Sequence, residues 1–250
     1  MRARVLAAIP AVLLVLVSLW ETVSARRDAT SVPDDAAWSA AEKLVRADYH
    51  PGDLIVFAPR WVDPVGRLHL GDLIPVDMAA RMDAARYGRI WELSIRGGEA
   101  PEVAGQRPVF EREVDGVTVR RFERAPAAVL SDVFAQQAGV IAEVGFEPHH
   151  CIQVVPAPGH PVTVTLPMLL GSKLVGYAGL ADVFTRRDIR APGTLAVSIG
   201  GREVARVSPG VDDGWVRFEA ATTPGQADVT FTASADAPQR LICFAAEARQ

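Results

Sequence analysis

The chain has 250 residues and a formal net charge of −4 at pH 7, with 49% hydrophobic and 22% charged residues. This composition is that of a folded globular protein and excludes a disordered one. Nucleic acid is excluded as the main partner, because no excess of basic residues is present to neutralise phosphates. Beyond the N-terminal segment no long apolar run occurs, which excludes a polytopic membrane protein.

The N-terminal segment has the pattern of an export signal. Two arginines precede an uncharged apolar run from Val5 to Trp20, and small residues follow at Val23-Ser24-Ala25, where a signal peptidase requires them. The run is slightly shorter than the roughly 20 residues that an unstrained membrane span needs. We therefore predict that residues 1–25 are either a signal peptide cleaved after Ala25 or a single membrane anchor. The remaining chain is then periplasmic or exposed at the cell surface.

A polar linker over residues 26–35 leads into a predicted α/β domain over residues 36–124. Apolar residues recur at helical spacing in the first part of this domain, and a continuous apolar run then predicts a strand covered on both faces. The predicted elements are a helix at 36–48, the covered strand at 53–58, a loop at 59–72, a helix at 75–87 and a strand at 89–96.

A β-hairpin at residues 109–122 closes this domain. Asp115-Gly116 is a two-residue turn sequence between alternating runs. The register that this turn imposes places Val114 opposite Val117 and Glu111 opposite Arg120, so that apolar partners and opposite charges face each other.

The pattern changes beyond this hairpin. Apolar spacing at 126–144 predicts a connecting helix over residues 125–145, and residues 146–250 contain short alternating runs at intervals of about ten residues, which indicate an antiparallel β-sandwich, jelly-roll-like. The overall fold class is therefore α+β. The predicted strands are 150–155, 161–166, 173–178, 194–199, 202–207, 215–220, 227–232 and 240–246.

Cys151 and Cys243 are the two cysteines of the chain and lie in the first and last predicted strands of the sandwich. In an oxidising compartment such a pair favours a disulfide, because these strands are neighbours in many sandwiches. Two buried free thiols are the alternative.

Motifs of several enzyme classes are absent from the sequence. It contains no Gly-x-Ser-x-Gly elbow, no Gly-x-Gly-x-x-Gly fingerprint and no Walker A motif. No cofactor and no metal is predicted. One candidate catalytic cluster, at the carboxyl end of the covered strand, consists of His69 with Asp63, Asp72 and Asp77.

A second candidate site lies on the sandwich. Alternation along the strand puts Trp215 and Arg217 on the face opposite Val216 and Phe218, and therefore outward if the latter face the core. An exposed aromatic ring beside planar hydrogen-bonding groups is what carbohydrate recognition requires. The predicted ligand residues are Trp215, Arg217, Tyr177, Asp182 and Arg187.

Four motifs of the first domain occur in a fixed order: Leu44-Val-Arg46, His50-Pro-Gly-Asp-Leu-Ile-Val-Phe57, Tyr87-Gly-Arg-Ile-Trp91 and Val117-Thr-Val-Arg-Arg-Phe-Glu123. On these motifs, residues 36–124 resemble the soluble extracytoplasmic tail of bacterial polytopic glycosyltransferases that use polyprenyl-phosphate sugars. The resemblance implies a helix, a buried strand, a second helix, a tryptophan strand and a hairpin. The family has many membrane segments where this chain has one, so its catalytic acidic residues carry over to no position here. Residues 146–250 are similar in strand pattern to jelly-roll carbohydrate-binding modules.

The leading hypothesis is a non-catalytic extracytoplasmic protein that binds or helps to handle cell-envelope or extracellular glycoconjugates. Two alternatives stay open at this point. One is an envelope enzyme, accessory to glycosyl transfer or hydrolysis, with its site in the loop 59–77. The other is a structural protein that mediates envelope assembly through a protein partner.

Overall fold

The computed structural model describes residues 2–30, 32–181 and 190–250, with side chains from residue 12 onward except those of 27–30. The chain forms two compact units. Unit 1 comprises the residues up to 71 together with 89–123, and unit 2 comprises 72–88 together with 124–250. A mixed sheet with helices is followed by two antiparallel sheets that form a sandwich, so the predicted α+β class is confirmed.

Unit 1 is built on a four-stranded mixed sheet. Its strand order is β1-β2-β4-β3, in which β1 and β2 are parallel and the other pairs are antiparallel. The elements are α1 (Arg2–Thr30), α2 (Asp35–Arg46), β1 (Leu54–Ala58), α3 (Asp63–Leu70), β2 (Arg89–Ile95), β3 (Phe110–Val114) and β4 (Val117–Glu123).

The side chain of Asp34 caps α2 by accepting a hydrogen bond of 2.9 Å from the Ala37 amide. All five residues of β1 are buried, as the continuous apolar run predicts. Directly before β1, the carboxylate of Asp53 accepts hydrogen bonds from the Trp91 indole (2.9 Å) and the His50 amide (3.0 Å). The Pro-Gly-Asp sequence therefore ties the turn that follows α2 to the neighbouring strand β2.

The hairpin register is confirmed. Val114 pairs with Val117 and Glu111 pairs with Arg120, whose side chains form an ion pair of 2.9 Å. Asp115 and Gly116 both have positive φ, 48° and 87°, as a type I′ turn requires.

Unit 2 is a sandwich of two antiparallel sheets. One has the order β11-β10-β13-β8, and the other has the order β12-β9-β14-β7-β6, with β5 also paired to β14. All eight predicted sandwich strands are confirmed. The elements are α4 (Val76–Ala79), β5 (Val129–Asp132), β6 (Val140–Val144), β7 (Glu147–Val154), β8 (Val162–Leu170), β9 (Lys173–Leu180), β10 (Gly193–Ile199), β11 (Arg202–Val207), β12 (Val216–Ala221), β13 (Gly225–Ala235) and β14 (Ile242–Arg249).

The predicted connecting helix over 125–145 is wrong. This stretch forms β5 and β6, which pair with β14 and β7. Its valines and isoleucine are β-branched and favour strands, and pairing with the sandwich outweighs their helical spacing.

The segment 59–88 also differs from expectation. The predicted loop 59–72 contains the helix α3, and the predicted helix 75–87 is reduced to the single turn α4. After α4 the backbone makes hydrogen bonds within unit 2 instead of helical ones: the carbonyl of Ala80 accepts from the amide of His150 at 2.8 Å.

The sandwich core lies between the two sheets, and Phe231 and Phe244 stack there with ring centroids 5.0 Å apart. The predicted disulfide Cys151–Cys243 is confirmed. It joins the neighbouring strands β7 and β14, with a Cα–Cα distance of 5.5 Å and a sequence separation of 92. Both cysteines belong to a small second cluster with Val144 and Trp215, separate from the main core.

The N-terminal helix α1 carries the predicted export segment. Met1 and the side chains of residues 2–11 lie outside the described part of the structure. Within the part that is described, no helix combines the length and the mean hydropathy of a membrane span.

Candidate ligand-binding face

The predicted sandwich site lies on the outer face of the six-stranded sheet, the face turned away from the core. The edge strand β12 pairs with β9, and Arg217 stands opposite Tyr177. Trp215 directly precedes β12 and lies against Gly179, where an added Cβ would be 3.3 Å from the indole Cε3. Of the five predicted residues, these three are therefore brought together. The other two, Asp182 and Arg187, lie outside the described residues.

The indole of Trp215 is held by three contacts and is half-buried. Its ring is nearly parallel to that of Tyr177 (centroids 5.9 Å apart, 8°) and to that of His149 (4.5 Å, 13°). Its Nε1 donates a hydrogen bond of 3.2 Å to the carbonyl of Met82. The ring orientation is thus fixed by the fold.

Polar groups continue this surface along β12. The guanidinium of Arg217 donates to the carboxylate of Glu219, and both side chains are exposed. That hydrogen bond holds the pKa of Glu219 below its ordinary value, so the pair is charged at neutral pH. We refer to Tyr177, Trp215, Arg217 and Glu219 together as the Trp215 platform.

The phenol of Tyr177 has a raised pKa. Burial is the main cause and the charge of Asp83 adds to it, while the charge of Arg217 and its hydrogen bond to the phenol act in the opposite direction. The phenol is therefore neutral over the physiological range and presents a hydroxyl that both donates and accepts hydrogen bonds.

Next to the platform, the segment 80–88 covers the sheet through an ionic network in which Arg249 and Glu247 are buried and Arg86 is exposed. Arg249 donates to both carboxylate oxygens of Asp83 at 2.9 Å and also to Glu247. Arg86 contacts Glu247 at 2.5 Å and Asp132 at 2.8 Å. Burial opposes the charge of Arg249, but the two carboxylates outweigh it and raise the pKa of its guanidinium. The segment 80–88 therefore covers this part of the outer face. The accessible part is the edge formed by β12 and β9.

Of the four residues of the alternative catalytic cluster, His69 and Asp63 contact other charged side chains, and Asp72 and Asp77 are exposed. Both ring nitrogens of His69 face carboxylates of α2: Nε2 lies 3.2 Å from Asp35 and Nδ1 lies 3.4 Å from Glu42. Asp63 pairs with Arg67 within α3 at 2.5 Å. Asp72 and Asp77 belong to unit 2 and are exposed.

Among the side chains that the structure describes, no group of three or more His, Cys, Asp or Glu residues has an arrangement suited to a metal ion.

Two residues of the platform region were absent from the sequence prediction. Glu219 could have been found, because it follows Arg217 at the two-residue spacing that places side chains on one face of a strand. His149 could not, because it comes from β7, and its stacking on Trp215 depends on tertiary structure alone.

No protein-family model matches the chain, and no curated protein matches it either. Distant structural matches are found to domains of ZmpB from Clostridium perfringens. One is the M60 catalytic domain with CBM51-1 and CBM51-2, which is 8% identical, with 64% of this chain and 16% of that chain covered and a TM-score of 0.32. Another is CBM51-2 with the INT domains, which is 6% identical, with 64% of this chain and 32% of that chain covered and a TM-score of 0.29. A third is CBM51-2 in complex with GlcNAc, with the INT domains, which is 8% identical, with 63% of this chain and 40% of that chain covered and a TM-score of 0.28. The chain thus spans well under half the length of these structures.

Proposed function

We propose that this protein is a non-catalytic, extracytoplasmic glycan-binding protein whose ligand surface is the Trp215 platform. The observation that carries the proposal is the arrangement of an orientation-fixed indole beside a neutral phenol and an exposed, charged Arg–Glu pair on one edge of a sandwich.

The chemistry of a sugar ring matches this arrangement. One face of a pyranose presents C–H groups that stack on an aromatic ring, and its hydroxyls need donors and acceptors around the rim. The exposed parts of the Trp215 and Tyr177 rings supply apolar surface, and Arg217, Glu219 and the hydroxyl of Tyr177 supply donors and acceptors. Because contacts to His149 and Met82 already fix the indole, little conformational entropy is lost when a ligand binds.

The proposed compartment agrees with the covalent chemistry of the chain. A buried disulfide is typical of proteins that fold in oxidising compartments. We propose that residues 1–25 direct export, either as a cleaved signal or as a retained anchor. The mass of the N-terminal peptide of the mature protein distinguishes these two cases.

The decisive experiment is a glycan array probed with the full-length oxidised protein. We expect binding to one glycan class and loss of that binding in Trp215→Ala. Because this substitution also removes half-buried packing, the second variant is Arg217→Ala/Glu219→Ala, which removes two exposed side chains together with the hydrogen bond from Arg217 to the phenol of Tyr177. We expect at least about a tenfold loss of affinity, since two hydrogen-bonding side chains are lost.

A matched control is available in the other sheet. Arg206 and Glu203 on β11 form an exposed ion pair, with 2.8 Å between Arg206 Nε and a Glu203 carboxylate oxygen. Arg206→Ala/Glu203→Ala removes the same side-chain types away from the platform and should leave binding unchanged. Equal binding by the platform variant and the wild type would refute the site, and no binding on a broad array would refute the function.

A further inference from the structure

The turn between β6 and β7 carries an exposed aromatic side chain on a strained backbone. Gly145 and Phe146 form this two-residue turn, and the flanking residues Val144 and Glu147 pair with each other. Both turn residues have positive φ, 61° and 70°. For a bulky residue such as Phe146 this conformation is a steric outlier. The side chain of Phe146 is 63% exposed, so packing in the core does not explain why the strain is kept.

Two other hairpins of the chain show which residues suit such a turn. Asp115-Gly116 and Gly200-Gly201 also connect paired strands in two residues, and all four of these residues have positive φ. In both turns the second residue is glycine, which has no Cβ to oppose a positive φ. Phe146 occupies the same position in the β6–β7 hairpin. An aromatic ring at a position that favours glycine indicates a role in binding, because strained residues concentrate at ligand sites.

The β6–β7 turn lies next to Trp215. A Cβ added to Gly145 would be 2.9 Å from the Cα of Gly214 and 4.0 Å from the amide nitrogen of Trp215. Consecutive Cα atoms are about 3.8 Å apart, so the Cα of Phe146 lies within about 10 Å of that nitrogen. At this separation the phenyl ring and the indole can contact two neighbouring parts of one ligand.

The hairpin is held against Trp215 on both sides of the turn. Before the turn, Val144 is buried and packs so closely on Gly179 of β9 that any Cβ there would overlap it. After the turn, the ring of His149 stacks on the indole of Trp215 with centroids 4.5 Å apart. The tip therefore has a fixed place beside the Trp215 platform, and little conformational entropy is lost when Phe146 contacts a ligand.

We propose that Phe146 is a second aromatic contact for the glycan, and that the site binds an oligosaccharide of at least two sugar rings. One sugar ring lies on the Trp215 platform, and a neighbouring ring of the same chain stacks on Phe146 through its C–H face. This inference rests on the proposed function and adds the class of ligand to it.

The test measures affinity as a function of oligosaccharide length. The full-length oxidised protein is titrated with homo-oligomers of glucose, galactose, mannose and N-acetylglucosamine, each from one to four units long. We expect the affinity of the wild type to rise from the monosaccharide to the disaccharide. Phe146→Asn should lower the affinity for the longer oligomers about tenfold and leave that for the monosaccharide unchanged. Asparagine tolerates positive φ, so the turn is kept.

Two further variants serve as controls. Phe146→Tyr keeps an aromatic ring and should bind every oligomer as the wild type does. Leu169→Asn replaces another exposed apolar side chain (46%), on β8 of the other sheet, and should leave every affinity unchanged. Phe146→Asn should also unfold at a temperature no lower than the wild type, because the substitution relieves strain in the turn.

Equal affinities of Phe146→Asn and the wild type for the longer oligomers would overturn the inference. An equal loss for the monosaccharide and the oligomers would also overturn it, because the effect would then be a general one on the platform. If Arg217→Ala/Glu219→Ala still weakens binding in the first case, the proposed function stands with a single sugar as the ligand. Absence of binding to every series would overturn the inference and the proposed function together.

Discussion

Replacing both cysteines tests how much the disulfide stabilises unit 2. The bond closes a sequence separation of 92 residues, and the chain-entropy relation for a loop of this length gives about 4.6 kcal/mol at 25 °C. Native disulfides of this kind contribute about 2–5 kcal/mol in practice. Both sulfur atoms are buried, so Cys151→Ala/Cys243→Ala also loses packing on the order of 1 kcal/mol per site. We expect the free energy of unfolding of unit 2 to fall by at least about 3 kcal/mol.

The measurement is hydrogen exchange followed by mass spectrometry, which reports the opening free energy separately for peptides of each unit. A single global unfolding curve would mix two units that need not unfold together. The control is the wild type treated with a phosphine reductant, which loses the bond but keeps both sulfur atoms. The reduced wild type should lose less free energy of unfolding than the variant, and the difference should equal the packing contribution of the two sulfur atoms. A loss below about 1 kcal/mol in the unit 2 peptides of both samples would refute the reasoning.

Three further predictions concern the outer face of the same sheet. Arg249→Met should destabilise unit 2 by about 3–5 kcal/mol, because the mostly buried carboxylate of Asp83 loses its bond to Arg249 and that of Glu247 keeps only Arg86; denaturant unfolding measures this. Gly179→Ala should cost about 1–3 kcal/mol, because its Cβ would overlap Val144 Cγ1 and the carbonyl oxygen of Gly214. It should also weaken glycan binding, because the same Cβ would crowd the indole of Trp215; unfolding and the glycan array measure the two effects. Burial raises the pKa of Tyr177, so its contribution to stability is present below the unfolded-state pKa of about 10 and is lost as pH rises through the folded-state pKa. Tyr177→Phe should therefore lose less stability than the wild type between about pH 8 and pH 11.

Each of these predictions has an outcome that contradicts it. For Arg249→Met, the comparison is with Arg249→Lys, which keeps the positive charge but not the planar guanidinium. Free energies of unfolding of the two variants within about 1 kcal/mol of each other would contradict the prediction. For Gly179→Ala, it is an unchanged tryptophan emission together with unchanged binding. For Tyr177→Phe, parallel alkaline stability curves would show that the phenol does not titrate differently in the folded state.

The sandwich strands could be predicted from the sequence because their apolar residues alternate at a period of two between turn residues. The same alternation predicts that Trp215 and Arg217 share a face, and pairing of the first and last predicted strands led to the disulfide. The alternation is a local pattern, repeated within a few residues of the element that it predicts. The disulfide, which joins residues 92 positions apart, follows instead from which strands are usually neighbours in a sandwich.

The failures arise where tertiary contacts outweigh local spacing. Apolar residues from Pro75 to Tyr87 recur at helical intervals, yet after α4 the carbonyls of Ala80 and Met82 accept hydrogen bonds from His150 and Trp215. No local pattern identifies partners that lie about 70 and 130 residues further along the chain. The same holds for residues 126–144, whose pairing partners in β14 and β7 decide their structure.

The segment 72–88 belongs to the sandwich although it lies between two portions of unit 1 in the sequence. Cutting the chain at position 124 therefore does not separate the units: a fragment of residues 124–250 would expose Glu247 and Arg249 without Asp83 and Arg86. The same topology sets an order for synthesis on the ribosome. By residue 123 every strand of the first sheet has been made, whereas segment 72–88 must wait for β14, at the end of the described chain, before its charged side chains find their partners.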